Sequence, residues 1–378
     1  MSHELYQKSI DIILNNQSKW GSYIASPEFP NYCYCWLRDG SFIANSMDCV
    51  GEYASAEAFF HWVDGAIQRY SSKVDELERC TREGIDTGKD VILHTRFTLD
   101  GFEGTIDNTW GNFQIDGYGT WLWALAQHAR KTGNYALLQE LTDSIQTTIR
   151  YLALTWKLPN YDCWEEHPEY LHPYSLACVY SGLNEMALLV KEGKLLGLGL
   201  DPGRLAKEIH DFILGYGIVG GRCIKHIWPP RGDEPAKPVE KSAVDASLLG
   251  MVYPFSVMEP HDPLMVATVA EIDAKLHRRD GGVYRYRADV YYGGGEWILL
   301  TAWFGLHNLR LGKRDLAIKM MMWIEEQADK QGNLPEQVSD HLLAPAYYDT
   351  WRQKWGPVAS PLLWSHAMYL ILYRELQE

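Results

Sequence analysis

The chain has 378 residues, nearly half of them hydrophobic, and a formal net charge of −14. That length suffices for a large core. The acidic balance, with no basic cluster, disfavours nucleic acid and anionic membrane as partners and suits neutral substrates.

Helical periodicity recurs along almost the whole chain. It predicts a first amphipathic helix over 3–16, with Leu5, Ile10, Ile12, Ile13 and Leu14 as its apolar side. Further helices are predicted over 40–70, 117–131, 135–156, 174–193, 201–216, 243–252, 262–277, 296–311, 314–330 and 361–377. The longer connections, 19–38, 98–116, 157–173, 218–240, 279–295 and 331–360, carry Gly, Pro and Trp. No long alternating strand series appears; short β pieces are expected in the 88–113 region, where Val91-Ile92-Leu93 and Thr95 to Thr98 are β-prone. No linker or compositional shift divides the chain, so one domain over 1–378 is expected. About a dozen helices with alternating short and long connections predict an all-α toroid of helical hairpins, its long loops gathered at one end. Loops on a rigid scaffold are where sites usually form.

The seven cysteines, Cys33, Cys35, Cys49, Cys80, Cys163, Cys178 and Cys223, show no metal-ligand spacing. They read as reduced thiols, and the Cys33–Cys35 pair as two packing residues pointing the same way. The N-terminus has no charged-then-apolar signal pattern, and no apolar run approaches the ~20 residues that span a bilayer. A cytoplasmic protein is the expectation. The 15 Trp and 23 Tyr join flat apolar faces to polar edges, matching the apolar face and hydroxyl rim of a sugar. Most of them also have a large helical core to fill.

Three loop clusters combine acidic and aromatic residues. Tyr161-Asp162-Cys163-Trp164-Glu165-Glu166-His167 follows a helix; a carboxyl beside Trp, with a second carboxyl next to it, has its pKa raised, as an acid catalyst needs. Its plainer reading is a solvated acidic loop. Gln331-Gly332-Asn333-Leu334-Pro335-Glu336-Gln337 presents Glu336 from a constrained turn, or is an ordinary helix exit. Tyr32-Cys33-Tyr34-Cys35-Trp36-Leu37-Arg38-Asp39-Gly40 sets a planar fork of donors beside an acceptor, able to grip sugar hydroxyls. Asp39 reads equally as a helix cap with Arg38 paired locally.

At these residues the chain resembles glycoside hydrolase family 15, the glucoamylase family. The matching segments run in the family's order: Tyr34-Cys35-Trp36-Leu37-Arg38-Asp39; Trp110-Gly111-Asn112-Phe113-Gln114-Ile115-Asp116-Gly117; Asp162-Cys163-Trp164-Glu165-Glu166; Arg285-Tyr286 with Asp289, Tyr291, Tyr292 and Trp297; Leu334-Pro335-Glu336-Gln337; and Leu363-Trp364-Ser365. The match extends from about residue 32 to the C-terminus. It implies an (α/α)6 barrel and inversion at the anomeric carbon. Glu165 would be the general acid, Glu336 the general base that activates water, and Glu166 a substrate ligand near the leaving group. Arg38 and Asp39, with Arg285 assisting, would hold the non-reducing glucose. Trp110, Trp164 and Trp297 would wall the pocket, and Trp36, Tyr291, Gln337 and Trp364 fall in the same substrate-binding segments.

Within the family the chain is similar to the compact bacterial isomaltose glucohydrolases, lacking the N-terminal β-domain and starch-binding module of other members. The implied substrate is a small α-glucoside, α-1,6-linked isomaltose first, with α-1,4-linked maltooligosaccharides and trehalose as alternatives. The segment Trp228 to Gly232 and the Trp351–Trp355 loop are candidates for the leaving-group side. Inverting hydrolysis needs no cofactor, and no metal-binding motif is present. An epimerase or lyase on the same barrel class would use a His or Tyr base, but His94, His128, His167, His172, His261 and His366 are scattered without a motif. A non-catalytic sugar-binding protein would be expected to lose one of the two catalytic carboxyls. The sequence leaves the oligomeric state open and is compatible with a monomer.

Overall fold

The computed structural model describes residues 1–85, 88–104 and 111–378. In chain order the helices are α1 (His3–Asn15), α2 (Leu37–Val50), α3 (Tyr53–Arg69), α4 (Ser71–Glu83), α5 (Asp116–Thr132), α6 (Ala136–Glu140), α7 (Thr142–Thr155), α8 (Pro173–Lys191), α9 (Pro202–Tyr216), α10 (Pro263–Lys275), α11 (Ile298–Arg310), α12 (Arg314–Glu326), α13 (Tyr348–Trp355) and α14 (Leu363–Glu375). A 3-10 segment, Ala246–Met251, lies between α9 and α10.

Burial separates these elements into two alternating kinds. Every residue from Leu37 to Asp48 of α2 is buried, as is every residue from Ile298 to Asn308 of α11. By contrast α1 buries only Leu5, Ser9, Ile10 and Ile13, and α9 only Pro202, Ala206, Ile209 and Ile213. A helix buried all round is enclosed by others, and a helix with one apolar stripe faces water on its far side. Accordingly α2, α5, α8, Ala246–Met251, α11 and α14 each pack on the next, and α14 closes back onto α2. Behind them α3, α7, α9, α10 and α12 back onto α2, α5, α8, Ala246–Met251 and α11, while α1 backs onto α14. Six inner and six outer elements make the (α/α)6 barrel, and the fold is all-α.

The inner ring meets on its axis in aromatic side chains. Phe42 stacks on Trp364 with ring centres 5.2 Å apart and touches Trp303 at 5.7 Å, Trp123 at 5.8 Å and Phe255 at 6.1 Å. All five rings are buried, so the barrel is plugged rather than hollow.

One inner contact depends on glycine. A Cβ at Gly182 of α8 would lie 2.3 Å from the Gly119 carbonyl oxygen of α5, and a Cβ at Gly119 would lie 2.5 Å from the Cys178 backbone. Backbone has no rotamer with which to retreat. Gly182→Ala is therefore expected to destabilise by about 1–3 kcal/mol, read as a lower Tm, and an unchanged Tm would show that the two helices can separate freely.

Short strands gather at the end where the inner helices begin. Cys35–Trp36 pairs antiparallel with Arg96–Phe97, and Glu296–Trp297 pairs between Val283–Tyr284 and Gln337–Val338. Trp36 and Trp297, each extended, directly precede α2 and α11. The two small sheets thus carry aromatic residues to the same face of the barrel.

The predicted elements needed four changes. The 40–70 helix is two, broken where Gly51 turns left-handed at φ 91°; the 135–156 helix is also two, α6 and α7. The 243–252 helix shrinks to the 3-10 segment, and α4 and α13 were not expected. Cys33 and Cys35 do not pack alike: Cys33 ends the 3-10 turn Pro30–Tyr32 and is exposed, whereas Cys35 opens the strand that follows and is buried. No described helix is long and apolar enough to cross a membrane.

Candidate active site

A cavity of about 470 Å³ opens at this end of the barrel, within the range of small-ligand pockets. Its lining includes Trp36, Arg38, Asp39, Trp164, Glu165, Glu166, Arg285, Tyr291, Trp297, Glu336 and Trp364, residues expected from five separate segments. Its deep walls, among them Arg38, Asp39, Glu336, Leu362 and Trp364, are buried, whereas Pro30, Val290 and Lys354 at its rim are exposed. Trp110 lies outside the described residues. Gln337 is not in the lining: its amide accepts from the Gly295 N–H at 2.8 Å and donates to the Tyr291 carbonyl at 3.3 Å, pinning the strand behind Glu336. Trp228 is exposed and also outside the lining, while Trp351 and Trp355 are in it.

The floor is an ion cluster at two helix starts. The Arg38 guanidinium bonds Gln114 at 2.9 Å and Asp116 at 3.0 Å and lies 3.3 Å from Asp39. Asp39 and Asp116 stand in the first turns of α2 and α5, where the helix dipole favours negative charge. Burial nevertheless pushes Asp39 up to about 6, against the pull of Arg38.

Glu165 is fixed from two sides. Its Oε1 accepts from the Trp36 indole at 2.5 Å and from the Gln114 amide at 2.9 Å. Burial raises its pKa above the ordinary value, while Arg38 and these two donors oppose the rise. Its backbone is left-handed, φ 65°, which is uncommon away from glycine. Glu166 differs: Tyr286 donates to its Oε2, and Arg285 approaches its Oε1 at 3.5 Å.

Glu336 stands across the pocket on another loop. Its Oε1 accepts from the Tyr32 hydroxyl at 3.1 Å, and Tyr32 shares a 2.8 Å bond with the Tyr291 hydroxyl. Its buried Oε2 has no hydrogen-bond partner among the described residues. The Tyr32 and Trp36 rings lie edge to face at 5.6 Å. One aromatic pair therefore carries a donor to each carboxyl.

Arg285 completes the wall. It forms a two-pronged ion pair with Asp289 at 2.6 and 2.7 Å, and Trp297, Trp164, Tyr286 and Tyr291 surround its guanidinium at 5.0–5.3 Å. Such a ring of aromatic faces holds a cation in place. Beneath Trp164 lies a buried group that sequence reasoning did not find: Lys225 pairs with Asp245 at 3.0 Å and Asp162 at 3.4 Å. Tyr32 and Gln114 stood in quoted segments but were not named as site residues. Among the described residues no group of three His, Cys, Asp or Glu is arranged to hold a metal ion.

Hydrolysis of a glycosidic bond requires two carboxyls presented from different loops to one polar and aromatic cavity, and this barrel supplies them: the chain is a glycoside hydrolase. The model for glycosyl hydrolases family 15 matches residues 1–355. The chain belongs to that family, whose members invert the anomeric centre. It is 40% identical over 380 residues to an isomaltose glucohydrolase of Kribbella flavida, covering 99% of this chain and 93% of the relative. A trehalase of Thermoplasma acidophilum is 24% identical over 322 residues, covering 82% of this chain and 51% of the relative. A glycosidase solved in complex with glucose superimposes with TM-score 0.91 at 39% identity, covering 99% and 96% of the two chains. A bacterial glucoamylase complexed with acarbose shares the fold, with TM-score 0.76 at 20% identity over 99% of this chain and 55% of that one.

Proposed function

We propose that the protein removes single glucose units from the non-reducing end of small α-glucosides, isomaltose and its α-1,6-linked oligomers first, and releases β-glucose. The observation that carries this reading is the different hydrogen bonding of the three glutamates. The Trp36 and Gln114 donors to Glu165 both fall on Oε1, so Oε2 is the place for a proton, and burial shifts the carboxyl toward holding it: this is the general acid. Both oxygens of Glu166 meet donors, Tyr286 on Oε2 and Arg285 on Oε1, which suits a substrate ligand. Among the described residues Glu336 keeps one oxygen without a hydrogen-bond partner, and it is the base that takes a proton from the attacking water.

The remaining residues explain exo action. Arg38 and Asp39 sit in the deep wall, above the aromatic plug, where they grip the hydroxyls of a terminal glucose. A chain that continued past that glucose would have nowhere to go. Trp36, Trp164, Trp297, Tyr291 and Trp364 enclose the sugar, Arg285 supports them, and Trp351, Lys354 and Trp355 stand on the leaving-group side. The seven cysteines are free thiols, which supports placing the activity in a reducing cytoplasm.

The α-1,6 preference rests on likeness to the Kribbella isomaltose glucohydrolase over nearly the full length of both chains. Trehalose is the second reading, because the Thermoplasma trehalase matches four-fifths of the chain. The test is glucose release from isomaltose, maltose, panose, trehalose and kojibiose, with the fresh product observed by NMR. Isomaltose should give the highest kcat/KM and β-glucose should appear first. A preference for trehalose would establish the second reading, and α-glucose appearing first would overturn inversion.

A further inference from the structure

We propose that Lys225, far in sequence from every segment of the pocket, is the positioning residue that holds the acid-bearing turn in register with the substrate. This rests on the reading of Glu165 as the general acid.

The turn from Asp162 to Glu166 is organised by the Asp162 side chain. Asp162 Oδ1 accepts from the backbone N–H groups of Trp164 and Glu166, both at 2.9 Å. The backbone closes the same turn: Glu165 N–H donates to the Asp162 carbonyl at 2.9 Å and Asp162 N–H to the Glu166 carbonyl at 3.0 Å. The other oxygen, Oδ2, has Lys225 Nζ as its counter-ion at 3.4 Å.

The same ammonium reaches the two other supports of the turn. It lies 3.0 Å from Asp245, whose carboxylate accepts from the Trp164 indole at 3.1 and 3.2 Å and caps Ala246–Met251 through the Ser247 N–H at 2.8 Å. It also sits 3.8 Å above the Tyr286 ring, whose hydroxyl donates to Glu166. One cation thus touches the groups that hold Trp164 at backbone and ring and Glu166 at its carboxylate. Glu165, between them, carries the acid.

Its backbone makes this support necessary. Glu165 and His167 are both left-handed, at φ 65° and 55°, a conformation that persists in non-glycine residues only where the surroundings over-determine it. Lys225, Asp162 and Asp245 are 7%, 3% and 0% exposed. Without the ammonium, two buried carboxylates would face each other with no counter-ion, and the turn would lose the geometry of its hub. Lys225 touches no reacting atom in this arrangement and acts through Asp162 and Asp245.

The test uses leaving groups of different need. Isomaltose requires a proton on its departing oxygen, whereas fluoride leaves α-glucosyl fluoride with little acid assistance. In Lys225→Met, kcat/KM should fall roughly 10²-fold on isomaltose, the scale of a general acid's contribution, and only a few-fold on the fluoride. A side chain that merely stabilises the fold would lower both equally, through the active fraction, so equal losses or no loss overturn the proposal. Glu165→Gln is the control. If it shows no such split, the reading of Glu165 as acid fails; if it does and Lys225→Met does not, only the present proposal fails. Should Lys225→Met not fold, Asp245→Asn keeps the shape while weakening the hold on Lys225 and Trp164. The same split is expected there, and its absence again overturns the proposal.

Discussion

Glu336→Ala is expected to lower kcat on isomaltose by about 10²–10⁴-fold, the range over which a general base contributes, while glucose still binds. The variant loses the group that takes a proton from water but keeps the Arg38–Asp39 grip and the aromatic walls. Azide needs no such base. Added azide should attack the anomeric carbon from the face that Glu336 served and form β-glucosyl azide as the leaving oxygen takes its proton from Glu165. Near-normal turnover of the variant without azide would remove Glu336 from the mechanism.

The same residue sets the sign of one pH effect. Burial pushes the Glu336 carboxyl from its ordinary 4.5 up to about 8, although Arg285 and the phenols of Tyr32 and Tyr291 favour its ionised form. A base works only when ionised, so activity is lost as pH falls through the Glu336 value. Glu165 works only when protonated, so activity is lost on the other side as pH rises. Both carboxyls are raised above their ordinary value, so the acidic limb of kcat/KM should lie above the range of a solvated carboxyl and change in Glu336→Ala. An acidic limb near 4.5 would show that Glu336 is not the group titrating.

Glu165→Gln should abolish useful turnover of disaccharides, by a comparable factor, yet spare substrates whose leaving group needs no proton. Glutamine keeps the shape that meets Trp36 and Gln114 but has no acidic proton to give. Glu166→Gln should behave differently, raising KM more than it lowers kcat, because it removes a charge paired with Arg285 and Tyr286 rather than the proton donor. Kinetics of both variants on isomaltose and α-glucosyl fluoride decide the matter. If Glu166→Gln shows the leaving-group dependence instead, the roles within the pair are exchanged.

Much of the fold was legible because burial leaves a periodic trace. The stripe of α1 and the near-continuous apolar run of α11 could be read directly. α4 could not: only Val74, Leu77 and Cys80 are buried in it, too thin a stripe in a charged segment. α13 hides in a loop whose aromatic residues face the pocket rim instead of the core. The Gly51 break was concealed by apolar residues continuing on either side of it. In the site, the pocket residues with local signatures, such as Trp164-Glu165-Glu166 or Arg38-Asp39, stood out as clusters. Lys225 and Asp245 did not, since each is an unremarked charged residue until the fold places it beneath Trp164. Gln337 shows the opposite error, a residue beside the catalytic segment whose side chain is spent on backbone groups. Tyr32 was part of a quoted segment, but its bond to Glu336 joins opposite ends of the chain and has no sequence signal.

The aromatic plug on the barrel axis also dictates traffic. Phe42 stacked on Trp364 closes the barrel axis among the described residues, so on the proposed reading both products leave toward the rim by which the substrate enters. If Arg38 and Asp39 hold the terminal glucose as proposed, the aglycone lies nearer the rim and departs first, with β-glucose behind it. On that reading glucose is expected to compete for the free enzyme, and the same closed axis that would make the cut terminal would also tie the pace of turnover to how fast the inner sugar is surrendered.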